Sequence, residues 1–537
     1  MGYGGVQAVE LVFLLLLLFV VVFGALARRL QIPYPIVLVI AGGLLGFVPG
    51  IPKITLNPDT IFFVLLPPLL YSAAWTTSWR EFSCNIVNIL SLAFGLVTFT
   101  VIGVAAAAQY LFPGFDWRIG LVLGAVIAPT DAIAATSIAE KIGLPKRVVD
   151  VLEGESMVND ASGLLALEFG LAILLRGETP TALSGLVRMA YLIVVGIGIG
   201  LAIGWFVDWV EQHLDDAPIE IALSILIPYA AYFAASRARA SGVLAVVTCG
   251  LYLSRRSSRF FSPGVRLRAW SVWESITFIL NGLVFVLIGL QLPFVLAGIH
   301  GYRWRTLILY GALFSGLVIA LRVIWAFPGA YLSYWIRRRF LHHQVSTPPW
   351  NSIMVVGWTG MRGVIALAAA ISLPQVLQNG SPFPQRNLIV FLAFCVILVT
   401  LVLQGLTLPW VVRVLGVAEK TGSHREEDRA RREVLQAALE YLEEARRKDA
   451  PDSESVYNDL IGHYQQKLFT LTGAGEEEPI GYRPEEHKQY FRISREVLSV
   501  ERQALVRLRD QGRISDAVLR ELEYELDLRE AGTKHVA

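Results

Sequence analysis

The chain has 537 residues, of which 55% are hydrophobic and only 17% are charged, with a formal net charge of +2. This composition is too apolar for a water-soluble protein of this length and indicates a polytopic membrane protein. The small net charge gives no reason to expect a nucleic-acid partner. The 3 cysteines lie far apart and the 8 histidines fall outside the apolar segments, so neither a disulfide framework nor a zinc enzyme is predicted.

The apolar segments predict about thirteen transmembrane helices, because each is near the ~20 residues that cross the bilayer core. Only helices are plausible, since backbone groups in lipid must pair within their own segment. The fold class predicted is therefore an all-α polytopic membrane protein. The segments are Val9–Ala27, Pro35–Val48, Thr60–Ala74, Ile86–Tyr110, Ile119–Ile138, Val151–Leu175, Leu186–Val207, Ile219–Ala235, Gly242–Leu253, Val272–Leu296, Leu307–Ala326, Ile353–Leu373 and Leu388–Leu415.

Basic residues between the segments predict the orientation. Pairs and clusters such as Arg28-Arg29, Lys146-Arg147 and Arg337-Arg338-Arg339 fall on one side if the segments alternate. Because Lys and Arg accumulate on the cytoplasmic side, we expect the N-terminus outside and the C-terminus in the cytoplasm of a cell-membrane protein. The first segment has no basic leader or cleavage site, so it is predicted to be a retained helix.

The composition changes abruptly after Gly416. The segments Arg431–Arg447 and Ser515–Glu530 are charged and have helical periodicity. We therefore predict a transmembrane domain over residues 1–416 and a helical cytoplasmic tail over residues 417–537. The tail could regulate the protein or stabilise a dimer, and its sequence identifies no ligand.

Intramembrane carboxylates are the candidate functional groups, because a charged group at membrane depth is costly and therefore rare. Asp131 follows Pro129 inside an apolar segment. Proline removes a backbone donor and blocks the helix, so Pro129 is expected to open the helix and to free carbonyls and helix ends for an ion.

The next segment carries Ser156 and Asp160 four residues apart, on one helix face. A hydroxyl and a carboxylate are oxygen ligands of the kind that hard cations such as Na+ prefer. Glu155 points about a hundred degrees away from Ser156 around the helix axis. Arg362 is predicted to be the structural partner of Glu155. Three further charged residues lie in apolar segments without an assigned partner: Glu168, Glu274 and Arg322.

An ordered set of motifs gives the chain a family resemblance. It resembles bacterial Na+/H+ antiporters of the monovalent cation:proton antiporter group, which includes the eukaryotic Na+/H+ exchangers. The matching pieces are Leu66-Pro67-Pro68-Leu69-Leu70, Ala128-Pro129-Thr130-Asp131, Gly154-Glu155-Ser156, Asn159-Asp160-Ala161, Gly360-Met361-Arg362-Gly363 and Leu403-Gln404-Gly405-Leu406-Thr407.

The resemblance implies a role for each matching residue. Asp160 would bind the cation and exchange the proton, and Asn159 would make the site the type associated with electroneutral exchange. Thr130 and Asp131 would form the unwound segment, and Ser156 would supply a hydroxyl. Asp160, Ser156 and Thr130 would thus coordinate Na+, with no cofactor, while Glu155 and Arg362 would be a pair that ties the core together.

The resemblance also implies the architecture and marks one departure. The family fold is an inverted repeat of six helices plus six with two broken, crossing helices, usually in a homodimer. Many members carry an acidic residue after the aromatic that follows the Pro-Pro pair, whereas here Ser72 follows Tyr71. This change bears on ion affinity and selectivity, and makes Ser72 a candidate accessory residue.

These residues predict a secondary transporter, not an enzyme. A proton and a Na+ or Li+ ion would compete for Asp160, and alternating access would carry the loaded site across the membrane. Exchange of K+ for H+ is the main alternative. A cation channel is a weaker one, since channels present rings of charges or carbonyls in a pore.

Overall fold

The computed structural model describes most of the chain as helix. The described residues are 3–48, 61–77, 79–176, 182–214, 216–260, 263–299, 302–341, 347–376, 383, 385–417 and 422–448, with isolated positions between 457 and 526. Contacts divide the chain into two compact units, Met1–Lys420 and Thr421–Ala537.

The first unit contains eighteen described α-helices in chain order. They are α1 (Tyr3–Leu30), α2 (Tyr34–Gly46), α3 (Leu66–Thr76), α4 (Trp79–Leu90), α5 (Val97–Leu111), α6 (Trp117–Ile127), α7 (Ala132–Ile142), α8 (Lys146–Arg176), α9 (Ala182–Glu211), α10 (Ala217–Arg237), α11 (Gly242–Phe260), α12 (Pro263–Leu290), α13 (Leu292–Ala297), α14 (Trp304–Arg339), α15 (Trp350–Trp358), α16 (Val364–Ile371), α17 (Arg386–Val399) and α18 (Gly405–Leu415).

Several of these helices are continuous with one another or interrupted by a short irregular turn. A π-helical segment, Ser91–Leu96, joins α4 to α5, and another, Thr400–Gln404, joins α17 to α18. Such π segments occur mostly as single turns inside α-helices, often at functional sites. Thr400 in the second of them donates to Val396 O and accepts from the backbone N–H of Arg362. The irregular turn therefore touches one of the predicted site segments.

The described residues contain seven helices that are long and apolar enough to cross a membrane, or eight if one bent pair forms a single span. The bent pair is Trp117–Ile127 with Ala132–Ala139, at an angle of 40°. The seven are Trp79–Leu111, Lys146–Leu175, Leu183–Glu211, Ala217–Arg237, Val265–Ala297, Trp304–Arg339 and Arg386–Leu415. The helices α2 and α3 are shorter and apolar.

Many helices are longer than the apolar segments that predicted them. The segment Leu307–Ala326 lies within α14, which continues to Arg339, and Val272–Leu296 begins well after the start of α12 at Pro263. Hydropathy marks the part of a helix that lies in hydrocarbon. Backbone hydrogen bonding continues into the headgroup region, where basic side chains are tolerated.

The outward faces of several helices are apolar. Exposed large side chains include Leu14 and Leu18 of α1, Val194 and Trp205 of α9, and Ile308 of α14. A contiguous apolar exterior of this extent marks a surface that is buried elsewhere. Together with the long apolar helices, it identifies a multi-pass membrane protein whose exterior faces lipid.

The second unit contains one long described helix, α19 (Gly422–Lys448), within the predicted tail. Its last turn is basic, with Arg446, Arg447 and Lys448. Positive side chains are favourable there because the C-terminal end of a helix carries partial negative charge. The predicted helical segment Ser515–Glu530 lies, apart from isolated positions, outside the described residues.

Candidate ion-binding site

The helix that contains Pro129 is broken, as the sequence predicted. α6 ends at Ile127 and α7 begins at Ala132, so residues 128–131 form a non-helical link. Pro129 packs directly against Gly163 of α8, where a Cβ would overlap the proline ring. The absence of a side chain at Gly163 therefore lets α8 approach the break closely.

A second break lies between α15 and α16, over residues 359–363. The backbone N–H of Asp131 in the first break donates to Met361 O in the second, at 2.8 Å. Gly363 faces the Asp131 side chain so closely that a Cβ at this position would overlap the carboxylate. The two breaks are therefore in direct contact.

Opposite charges occupy the ends of the broken helices. The Asp131 carboxylate caps the N-terminus of α7 by accepting from Ile133 N at 2.8 Å, and Gly363, which it contacts, precedes α16. The Arg362 guanidinium donates to Ile127 O at the C-terminus of α6 at 3.0 Å, and also to Gly360 O just after α15. Helix N-termini carry partial positive charge and C-termini partial negative charge. Both side chains therefore carry the charge that complements the helix ends they touch.

Asp160 differs from the other buried charged groups of this region. It lies on α8, with only 3% of its surface exposed. No hydrogen bond or ion pair is formed by its carboxylate with any described residue. The group faces a cavity of about 580 Å³ instead. A buried carboxylate without a protein partner requires a proton, a cation or water to be stable.

The same cavity brings together most of the predicted site residues. Thr130, Asp131, Ser156 and Asp160 all line it, and so does Ser72 on α3. The Ser156 hydroxyl accepts from the backbone N–H of Ala132, at 3.3 Å. Hydroxyl and carboxylate oxygens from two adjacent helices therefore face one space.

Asn159 lies behind this surface and does not line the cavity. Its side-chain amide donates to the Thr130 hydroxyl at 2.6 Å. The same hydroxyl donates to Glu155 Oε1 at 2.9 Å. Thr130 is thus fixed by two residues of α8, and its remaining lone pair can still bind a cation.

The predicted pairing of Glu155 with Arg362 is wrong. Glu155 is paired with Arg322 of α14, whose two terminal nitrogens donate to the two carboxylate oxygens at 2.5 Å and 2.9 Å. This bidentate geometry is the strong form of an arginine–carboxylate contact. Arg362 donates to the helix-end carbonyls described above, because the second break brings its guanidinium against α6.

The structure shows the surroundings of the other two charged residues for which the sequence indicated no partner. Glu168 forms an exposed ion pair with Arg188, at 3.3 Å. Glu274 lines the ion cavity, on α12. It lies on the wall that faces the broken helices.

The wall of the cavity opposite the broken helices is formed by α3 and α12, and it carries polar groups that sequence reasoning missed. Ser72 on α3 hydrogen-bonds Thr277 on α12, hydroxyl to hydroxyl, at 3.0 Å. Asn281, one turn further along α12, also lines the cavity. Its buried Oδ1 has no hydrogen-bond partner among the described residues. An amide alone in an apolar segment is the signal that could have identified Asn281.

The helical membrane fold, the contacting helix breaks and the buried Asp160 carboxylate without a protein partner among the described residues define a membrane transporter for cations. Comparison with known proteins supports this class. Residues 14–414 match the family described as the transmembrane sodium/hydrogen exchanger. The match covers most of the chain, so the protein belongs to the sodium/hydrogen exchanger family and is a transporter rather than an enzyme.

Individual relatives agree with the family assignment. A protein of Mycobacterium tuberculosis named as an uncharacterized Na+/H+ exchanger is 34% identical over 520 residues, which are 95% of this chain and 94% of the relative. A sodium, potassium, lithium and rubidium/H+ antiporter of Bacillus pumilus is 31% identical and is matched over 82% of this chain and 66% of its own length.

A solved structure has the same fold. The sodium proton antiporter MjNhaP1 from Methanocaldococcus jannaschii superposes with a TM-score of 0.60 at 18% identity, over 79% of this chain and all of that chain.

Proposed function

We propose that the protein exchanges Na+ for H+ at Asp160. The observation that carries this proposal is the buried Asp160 carboxylate, which has no partner among the described residues and faces the cavity. Such a group is stable when it binds a proton or a cation, and unstable when it binds neither. The named activities of the relatives supply the identity of the two ions.

The ligands for Na+ come from the two elements that meet at the first break. Asp160 and Ser156 lie four residues apart on α8, and Thr130 belongs to the link between α6 and α7. These side chains supply one carboxylate and two hydroxyl oxygens. Asp131 adds a second carboxylate in the same cavity. Oxygen donors of this kind suit a hard cation, and water can complete the coordination.

A single shared carboxylate would make the exchange obligatory. Desolvation disfavours a charged carboxylate, so a proton and Na+ compete for Asp160, and its bare ionised form is unfavourable in transit across the apolar barrier. Asn159 is neutral and already holds Thr130, so it adds no charge to the site. Asp131 stays compensated by the helix ends it caps. One proton is then exchanged for one monovalent cation, and the cycle is electroneutral.

The cavity supports an inward-facing state of an alternating-access cycle. From Asp160 it extends to Arg28 at the end of α1, Thr76 at the end of α3 and Ala269 near the start of α12. The distribution of basic residues supports a cytoplasmic location for this side. We propose an external N-terminus, a cytoplasmic C-terminus and a cell-membrane location. The broken, crossing helices would then move against the helices of the opposite wall.

The finer architecture is part of the same proposal. A count of thirteen spans, as predicted from hydropathy, is obtained from α2, from α3 with the π-helical turn Ile61–Leu65 before it, from the two broken helix pairs and from the long helices. The breaks fall in the fifth span of each set of six, with α9 as the linker, which supports an inverted repeat. Residues 1–416 would form the transport domain and residues 417–537 a cytoplasmic tail, and the family resemblance supports a homodimer.

The function is tested with purified protein in liposomes that contain a pH-sensitive dye. An outward or inward gradient of Na+, Li+ or K+ is imposed in turn, and the proton flux is recorded. We expect saturable proton flux with Na+, and flux with K+ alone would favour the K+/H+ alternative. The name of the Bacillus pumilus relative, which includes potassium, makes K+ the necessary comparison. Unitary current steps in a planar bilayer would indicate a channel.

A further inference from the structure

A second cavity, of about 220 Å³, lies apart from the ion cavity and shares no lining residue with it. It lies between the end of α4 with the π segment after it, the first two turns of α8, the C-terminal part of α14 and the first two turns of α15. Its volume is several times the ~30 Å³ that a water molecule occupies in the liquid. Nothing in the proposed transport cycle uses this space.

The most informative residue of this second cavity is Arg337, in the last turn of α14. Only 7% of its surface is exposed, and it lines the cavity. Among the described residues it forms no ion pair and no hydrogen bond. A largely buried guanidinium without an anionic protein partner is stabilised by an anion bound beside it. The charge of Arg337 therefore points to an anion inside the cavity.

Three other features make the same cavity electropositive. Arg147, in the first turn of α8, lines it as well and is the charged neighbour of Arg337. It also has no ion-pair partner among the described residues. The N-termini of α8 and α15 both border the cavity, through Pro145 and Pro349. Helix N-termini carry partial positive charge and favour anions, phosphate in particular.

The rest of the lining divides into a polar and an apolar part. Asn88 and Ser352 lie among the polar lining residues and can donate hydrogen bonds to an oxyanion. Leu92, Val151 and Val356 form an apolar wall. An inorganic ion would use only the polar part, whereas a phosphate diester with an alkyl substituent would use both.

We propose that this second cavity binds a phosphate group between Arg337 and Arg147, either as free phosphate or as the headgroup of an anionic phospholipid. Arginine matches the geometry of phosphate through paired N–H donors. The two arginines would otherwise repel each other at the junction of α8, α14 and α15. A bound phosphate would join these three helices near the end of the broken helix that begins with α15.

The proposal is tested by binding to the purified full-length protein and three variants. Inorganic phosphate is titrated against thermal stability, with chloride at equal ionic strength as the reference. In parallel, phosphatidylglycerol bound from phosphatidylcholine nanodiscs is counted by native mass spectrometry. The variants are Arg337→Gln, Arg147→Gln and, as a matched control, Arg339→Gln, which removes an exposed charge from the same helix end.

We expect saturable binding by the wild type and by Arg339→Gln, and at least about tenfold weaker binding by Arg337→Gln and Arg147→Gln, because each loses charge-assisted hydrogen bonds. Phosphatidylglycerol that displaces phosphate identifies the lipid as the ligand, whereas binding of phosphate alone identifies the free ion. Equal binding by all four proteins, or no binding of either probe by the wild type, overturns the proposal. Arg147 is exposed, so Arg147→Gln is expected to fold. This variant therefore tests the proposal even if Arg337→Gln does not fold.

Discussion

Asp160 and Glu155 lie five positions apart on α8, and both are almost completely buried. Their surroundings give them different roles. Glu155 receives two guanidinium contacts and one hydroxyl contact, so its charge is fully compensated. Asp160 faces the cavity without a partner among the described residues. A compensated carboxylate holds the structure together, whereas an uncompensated one is available to a proton or a cation.

The ion pair between Glu155 and Arg322 is predicted to be strongly coupled. Removing either charge leaves the other buried and unpaired, at a cost of roughly 3–5 kcal/mol. Glu155→Gln and Arg322→Gln should each lower the thermal stability of the detergent-solubilised protein. The double variant should lose less than the sum of the two, as measured in a double-mutant cycle.

The exposed pair of Arg188 and Glu168 is the matched control for that cycle. Its side chains are 34% and 53% exposed, so its coupling should be about 0–1 kcal/mol. Strict additivity at Glu155 and Arg322, or a larger coupling between Glu155 and Arg362, would contradict the pairing described above.

At the residue scale the sequence predicted which side chains face the cavity better than it predicted which side chains pair. Asp131, Ser156 and Asp160 could be recognised because polar residues are rare in apolar segments, and helical spacing places Ser156 and Asp160 on one face. Arg322 could not be assigned to Glu155, because the two are 167 residues apart. Only the packing of α14 against α15, and of α15 against α8, brings them together. Arg362 was the plausible partner by motif, but the second break directs it to helix-end carbonyls.

At the scale of elements, the two breaks act as one structural unit. Asp131 caps the N-terminus of α7 and contacts Gly363 before α16, whereas Arg362 donates to Ile127 O and Gly360 O. A backbone hydrogen bond from Asp131 to Met361 joins the links. Helix ends buried in a membrane without such partners would be costly, since no water is available to satisfy them. The unit therefore holds the proposed ion ligands Thr130 and Asp131 on an irregular backbone that these contacts stabilise.

The contact between the breaks is predicted to depend on Gly363. A Cβ at this position would overlap the Asp131 carboxylate, so Gly363→Ala should separate the two links. We expect a large loss of Na+-dependent proton flux and a lower melting temperature. Gly198→Ala is the control, because no atom lies within 4 Å of its added Cβ. Flux at the wild-type level in well-inserted Gly363→Ala protein would show that the close contact is not required.

The sequence identified the first break by a residue-level cause and the second only by resemblance. Pro129 removes a backbone donor and its ring clashes with the preceding turn, which kinks or breaks a helix at an interior position. The second break, over residues 359–363, contains no proline. The apolar pattern of Ile353–Leu373 is also compatible with one continuous span, and the break becomes evident only where Arg362 reaches α6.

At the scale of the whole molecule, charge balance decides how the transporter responds to a membrane potential. In the proposed cycle only Asp160 exchanges its ligand, while Asp131 stays at the N-terminus of α7 and Arg362 stays at Ile127 O and Gly360 O. One proton would then move against one Na+, and no net charge would cross the membrane.

Electroneutral exchange predicts that transport does not respond to voltage. Na+-driven proton flux in liposomes should have the same rate with and without a K+ diffusion potential set by valinomycin, once K+ has been shown not to be a substrate. A clear acceleration by an inside-negative or an inside-positive potential would mean that a second charge takes part, with Asp131 as the candidate.

The central claim is that Asp160 is the group that binds Na+ and H+ in turn, and Asp160→Asn tests it most directly. The variant keeps the size of the side chain and removes its charge. Asp116→Asn is the matched control, because Asp116 is an exposed N-cap of α6 and asparagine caps a helix equally well. Both proteins are reconstituted, and their insertion and melting temperatures are compared before proton flux is measured under a Na+ gradient. We predict wild-type flux in Asp116→Asn and none in well-folded Asp160→Asn, whereas normal exchange by Asp160→Asn would contradict the account.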